Sequence, residues 1–159
     1  MNIRFILVGK AKEKFYKLAY DEYQKRLSKY ASVSIEFISE PYLPTAASDI
    51  QILSALDEEA DKILKNVKKD EYVVLLDLHG KIIESEDLAK LIDDNCTLGY
   101  STFTFIIGSS NGVSDKLRQA SNFKLSLSKM TFTHPLTLEI TMEQVYRAFK
   151  INNNERYHK

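Results

Sequence analysis

Gly108, Ser109, Ser110, Asn111 and Gly112 form the stretch best suited to holding a ligand. Short hydroxyl and amide side chains offer hydrogen-bonding groups, and the flanking glycines permit positive φ and close backbone approach. The other reactive side chains are scattered. The histidines at 79, 134 and 158 have no serine or acid at nucleophile–base spacing. Cys96 ends the acidic run DDNC, which raises a thiol's pKa rather than activating it. No His/Cys cluster has metal-ligand spacing, so no metal is expected. There is no Walker loop, and IIGSSNG lacks the glycine spacing of the dinucleotide fingerprint. The loop therefore reads either as a non-covalent binding loop or as an ordinary strand-to-helix turn.

The elements that must position it follow from periodicity. Phe103, Phe105, Ile106 and Ile107 make an uncharged β run covered on both faces, and ligands sit at the carboxyl ends of strands in open α/β sheets. Upstream, Asn2 to Val8 reads as a strand ending at Gly9, and Glu13 to Tyr30 as a helix. Tyr16, Tyr20, Tyr23, Leu27 and Tyr30 share one stripe of that helix, which is read as a core face with polar tips in preference to a base-stacking platform. Val33, Ile35 and Phe37 mark a half-buried strand; Ser48 caps a helix with Ile52, Leu56, Ala60, Ile63 and Val67 on one side. Tyr72 to Leu78 reads as a central strand, ending beside His79 and Gly80; a short capped helix starts at Ser85 and another at Ser114. Lys124 to Leu127 is a short strand, and Pro135 to Asn152 the last helix. The apolar surface of that helix is wide for a terminal element, and a partner subunit is one way to cover it. The alternation implies an α/β fold in one domain over residues 1–159, a mostly parallel sheet with helices on both sides.

Composition bounds the rest. With 159 residues, 44% hydrophobic and 28% charged, the chain is long enough for a substantial core. A lone cysteine, no cleavage-like leader and no apolar run of membrane-spanning length make cytoplasm the expected location. Net charge is zero, which argues against a nucleic-acid partner until its distribution is counted. Residues 1–30 hold 8 Lys/Arg against 3 Asp/Glu and residues 102–159 hold 8 against 4. Residues 31–70 hold 4 against 8 and residues 71–101 hold 2 against 7. If the two basic ends share a face, a phosphate backbone can bind there despite the zero total. The alternative is a set of solvated helix faces.

Six ordered blocks carry a more specific signal: the opening strand with VGK, LDLHGK (76–81), IIGSSNG (106–112), LSLSKMTFTH (125–134), EQVYRAFKI (143–151) and the terminal YHK. Together they resemble the bacterial ribosomal RNA large subunit methyltransferase H family, of the SPOUT superfamily, over the whole chain. That resemblance implies a C-terminal trefoil knot and S-adenosylmethionine-dependent methylation of N3 of a pseudouridine in 23S rRNA by a homodimer. It implies a cofactor site at Leu76, Gly108 and the run Leu127, Ser128, Lys129, Met130, Thr131 and Phe132. Removal of the N3 proton calls for a base or cation, for which His158 and Arg147 are the candidates, with Tyr157 orienting or stacking. Other readings within reach are a SPOUT enzyme acting on tRNA or another rRNA nucleotide, and a catalytically silent RNA- or ribosome-binding module. Two positions depart from the family pattern. Ser109 replaces a second glycine and is expected to crowd the loop; Leu138 replaces an arginine and is expected to weaken RNA or tail contacts.

Overall fold

The computed structural model describes residues 1–158; Lys159 of the terminal block lies outside them. Strands and helices alternate: β1 (Asn2–Val8), α1 (Lys14–Leu27), β2 (Ser32–Ile38), α2 (Asp49–Leu64), β3 (Tyr72–Ile82), α3 (Ser85–Thr97), β4 (Thr102–Ile107), α4 (Asp115–Ala120), β5 (Phe123–Ser126) and α5 (His134–Asn152). The strands form one parallel sheet in the order β2-β1-β4-β3-β5.

The period-2 pattern of the strands splits the core into two layers. Ile3, Phe5, Leu7, Val74, Leu76, Phe103, Phe105 and Ile107 point to one face, where residues of α1, α3 and α5 pack on them. Ile6, Val8, Val73, Leu75 and Ile106 point to the other, beneath α2 and α4. Phe5 and Phe105 face each other across the β1–β4 register, their ring centroids 5.5 Å apart. Each fully buried aromatic of this kind stabilises the fold by about 1.5–3 kcal/mol.

Local signals set the helix ends. Ser48 accepts from the Gln51 N–H, and Gln51 accepts in return from the Ser48 N–H, a reciprocal cap for α2. Ser114 caps α4 through the Leu117 N–H. α3 differs from expectation. Ser85 is its first helical residue, and Glu84 precedes it, its N–H bonded to the Asp87 carboxylate at 3.1 Å.

Two further expectations change. β3 does not stop at Leu78 but runs on to Ile82 beside β5, because Gly80 has no side chain to collide with the neighbouring strand. A Cβ there would lie 2.7 Å from the Lys124 carbonyl oxygen. The wide apolar surface of α5 needs no partner subunit to cover most of it, since α1 and α3 pack against it within the chain. Leu138, Met142, Val145 and Ala148 are fully buried there.

The tyrosine stripe of α1 is a core face with polar tips. The Tyr20 hydroxyl donates to the Pro135 carbonyl at 2.8 Å, and that of Tyr30 to Glu155 at 2.9 Å. Because α1 packs on α5, the two basic ends of the chain adjoin: Arg26 lies over the Tyr146 ring and Lys150 over that of Tyr30.

Candidate functional site

The carboxyl ends of β3, β4 and β5 open into a cavity of about 210 Å³. Leu76 and Asp77 from β3, Ile107 to Ser110 from the end of β4, and Leu125 to Ser128 from β5 form three of its sides; Met130, Thr131, Phe132 and the start of α5 form the fourth. Sheet order explains the convergence. β4 sits between β1 and β3, and β5 lies on the far side of β3, so loops distant in sequence leave the sheet side by side.

The wall after β4 is a tight turn. The Ser109 carbonyl accepts from the Gly112 N–H at 3.0 Å, and Gly112 takes φ +101°. Gly108 is needed for a different reason. Its φ is ordinary, but a Cβ would meet the Gly112 carbonyl oxygen at 2.8 Å and run into the Val113 side chain. The opposite wall is pinned by serines. The Ser126 hydroxyl donates to the Ser128 carbonyl at 2.9 Å, and the Ser128 hydroxyl accepts from the Met130 N–H at 3.0 Å.

Of the eight residues expected to bind a cofactor, seven line this cavity: Leu76, Gly108, Leu127, Ser128, Met130, Thr131 and Phe132. Lys129 does not line it and is exposed. The arrangement suits a ligand with a flat, partly apolar body, because apolar side chains line the cavity beside strand-end backbone that can bond a polar edge.

The cavity also contains residues that sequence reasoning missed. Asp77, side by side with Leu76, accepts from Arg118 Nε at 2.7 Å and from the His79 N–H at 3.2 Å. Burial opposes ionisation of Asp77, but Arg118 and the His79 N–H outweigh it and hold the carboxyl below its usual range. His134, half-buried at the start of α5, has its proton affinity lowered by burial. Position next to Leu76 in the LDLHGK block was a usable signal for Asp77. None pointed to Arg118, 41 residues away along the chain.

Arg147, Tyr157 and His158 come together elsewhere. Glu143 organises them: it pairs with Arg147 at 2.5 Å and accepts from the Tyr157 hydroxyl at 3.0 Å. The Arg147 guanidinium lies 4.7 Å from the centre of the Tyr157 ring. His158 Nδ1 faces Arg147 at 3.4 Å and its Nε2 faces Glu86 at 2.8 Å. Since arginine only donates, Nε2 carries the imidazole proton toward Glu86. Burial, and then the bond to Glu143, push the Tyr157 hydroxyl up to about 12, so it is a donor and not a base. Glu143 raises the proton affinity of Arg147 in turn.

Within one chain this cluster and the cavity are apart. Thr137 lines the cavity and Arg147 lies ten residues further along α5, about 15 Å at 1.5 Å per residue. The two departures from the family pattern also acquire positions. Leu138 is fully buried in the core, so the expected loss of an RNA or tail contact at that position has no surface to act through. Ser109 is 3% exposed; it belongs to the cavity wall, with its hydroxyl enclosed. Among the described residues no group of three or more His, Cys, Asp or Glu could hold a metal ion, and no helix is long and apolar enough to cross a membrane.

Comparisons with known proteins agree with this architecture. A family model described as "Predicted SPOUT methyltransferase" matches residues 1–158. A protein of Clostridium novyi named ribosomal RNA large subunit methyltransferase H is 48% identical over 159 residues, all of both chains. One of the same name from Clostridium botulinum strain Langeland is 49% identical over 160 residues, again all of both chains. Among solved structures, a tRNA (m1G37) methyltransferase from Aquifex aeolicus shares the fold, with a TM-score of 0.54 at 14% identity over 92% of this chain and 70% of that one. The cavity at the ends of β3, β4 and β5 is thus set in a fold shared with known methyltransferases, and the chain belongs to the SPOUT methyltransferase family.

Proposed function

We propose that this protein methylates N3 of a pseudouridine in 23S rRNA of the large ribosomal subunit, with S-adenosylmethionine as donor, as a cytoplasmic homodimer. The observation that carries the reading is the convergence of seven cofactor-site positions, drawn from three separate stretches, on one cavity. When bound, the cofactor supplies an electrophilic methyl group on a sulfonium. The chain's own task is placement and proton control in a site shielded from water. Backbone groups of Gly108 and of the 127–132 segment would hold the cofactor's polar edges, with Leu76, Leu127 and Phe132 against its faces. No acid or base is needed to release the methyl group, but the attacking N3 must lose its proton. His158 would take that proton at Nδ1 once the Arg147 N–H leaves it, Arg147 would stabilise the developing negative charge, and the Tyr157 ring would orient the guanidinium.

Those three residues reach a cavity only if the tail of one protomer meets the cavity of the other. Support comes from the cavity rim. Phe15 and Leu18 on α1 are 62% and 70% exposed, and Met130 is 69% exposed. Tyr16 lies within 3.5 Å of Thr133, and Tyr20 bonds Pro135, so this end of α1 borders the rim directly. That apolar border, and not the already covered α5, is the surface a second copy would bury. The trefoil knot belongs to the same proposal, and the strand order with β4 between β1 and β3 fits it.

Mass spectrometry of 23S rRNA tests the reaction. In a strain lacking the gene, one N3-methylpseudouridine should be lost and then restored by this chain; an unchanged methylation pattern would refute the assignment.

A further inference from the structure

Charge is sparse in the cavity. Among the described residues, Arg118 is the one lysine or arginine that lines it, and Asp77 is the one acid. Of the two histidines present, His79 is exposed and His134 has its proton affinity lowered by burial. Arg118 is also firmly held. Its Nε donates to Asp77 Oδ2 at 2.7 Å and its Nη1 to Asp115 Oδ1 at 2.9 Å, while Nη2 donates to no group among the described residues. The backbone is fixed as well: the Arg118 N–H donates to the Ser114 carbonyl at 3.1 Å, and the Arg118 carbonyl accepts from the Ser121 hydroxyl at 2.9 Å. The Asp77 side chain is 5% exposed against 32% for Arg118, so the acid is the anchor and the guanidinium is the part left to meet a ligand.

We propose that Arg118 binds the carboxylate at the amino-acid end of the cofactor. The inference rests on the reading that the cavity takes S-adenosylmethionine. That molecule carries a single anionic group, which needs a cationic partner once it leaves water. Arginine suits the role because its planar fork meets a carboxylate with two N–H groups. Of the five N–H groups of a guanidinium, Asp77 and Asp115 take two, which leaves three unbonded. Free phosphate or another lone anion is the poorer fit. Two acids flank the one cation, an arrangement that disfavours an isolated negative charge but tolerates a carboxylate whose adjoining carbon carries an ammonium. Holding Arg118 in advance also spares the side-chain ordering that binding would otherwise cost. Asp77 directly follows Leu76 on β3, so this charged corner adjoins the apolar wall expected against the flat part of the cofactor.

Calorimetry with S-adenosylmethionine and with decarboxylated S-adenosylmethionine, which lacks only that carboxylate, tests this. Wild-type protein should bind the parent cofactor about tenfold or more tightly than the analogue. The double variant Asp77→Asn with Arg118→Gln removes the pair without changing net charge and leaves no buried ion unpaired. In it the preference should fall below about threefold, through weaker binding of the parent cofactor, while the analogue keeps its wild-type affinity to within about twofold. A merely structural defect in the cavity would weaken both ligands together and preserve the preference. A wild-type preference below about threefold, or a preference that survives intact in the double variant, would overturn the inference while the cofactor assignment stands. The wild-type comparison needs no variant and can overturn the inference alone. If wild type binds neither ligand, the cofactor assignment falls and the role of Arg118 falls with it.

Discussion

Gly108 shows how a single residue sets the cavity wall. From sequence alone, its role reads as room for a ligand; in the structure, the space its missing side chain leaves is filled by the loop itself, by the Gly112 carbonyl and Val113. Gly108→Arg should therefore act by displacing the 109–113 turn. Overpacking of this kind costs about 1–3 kcal/mol, which as lost affinity is about fivefold to 150-fold for S-adenosylmethionine. Calorimetry should show that loss with the far-ultraviolet circular dichroism unchanged, and wild-type affinity in the variant would remove the loop from the site. Asp77 teaches the same lesson at another position. Its neighbours in sequence identify the loop it belongs to, but Arg118, which holds its carboxylate, comes from α4 and carries no motif.

At the level of elements, the alternation of strands and helices was legible because β3 opens on the apolar run YVVLL, β4 carries no charge, and α2 and α4 carry their own serine caps. What periodicity does not convey is who covers whom. α5 has apolar residues around much of its circumference, and only the fold reveals that α1 and α3 both pack on it. The continuation of β3 past His79 was hidden because Leu78 and His79 are exposed and Gly80 reads as a terminator, while its real role is to let β5 approach. The basic C-terminal segment has a comparable subtlety. Lys150 pairs with Glu155 and Arg147 with Glu143, so these cations must trade partners to meet phosphate. If they do so, Arg147→Ala and Lys150→Ala should each lower the log–log salt slope of rRNA binding by roughly 1. Unchanged slopes in both variants would confine these side chains to their internal pairs.

Across the whole molecule, charge and topology lead to one arrangement. The basic ends of the chain adjoin through α1 and α5, while the acidic middle includes α2 and α3. One protomer holds a cavity at one end of α5 and the Arg147, Tyr157 and His158 cluster about 15 Å along it, too far to serve the same methyl transfer. A two-fold dimer resolves the separation if each cavity receives the other chain's tail. The direct measurement is methyl transfer by a mixture of Gly108→Arg, assayed at a cofactor concentration too low to fill its weakened site, and His158→Ala, after tagged pull-down has shown complete subunit exchange. About half of the dimers are then mixed, each with one intact site of two, so roughly a quarter of wild-type activity should return. Activity no higher than that of the separate parents would contradict the shared site, because a site built within one chain leaves a lesion in every copy.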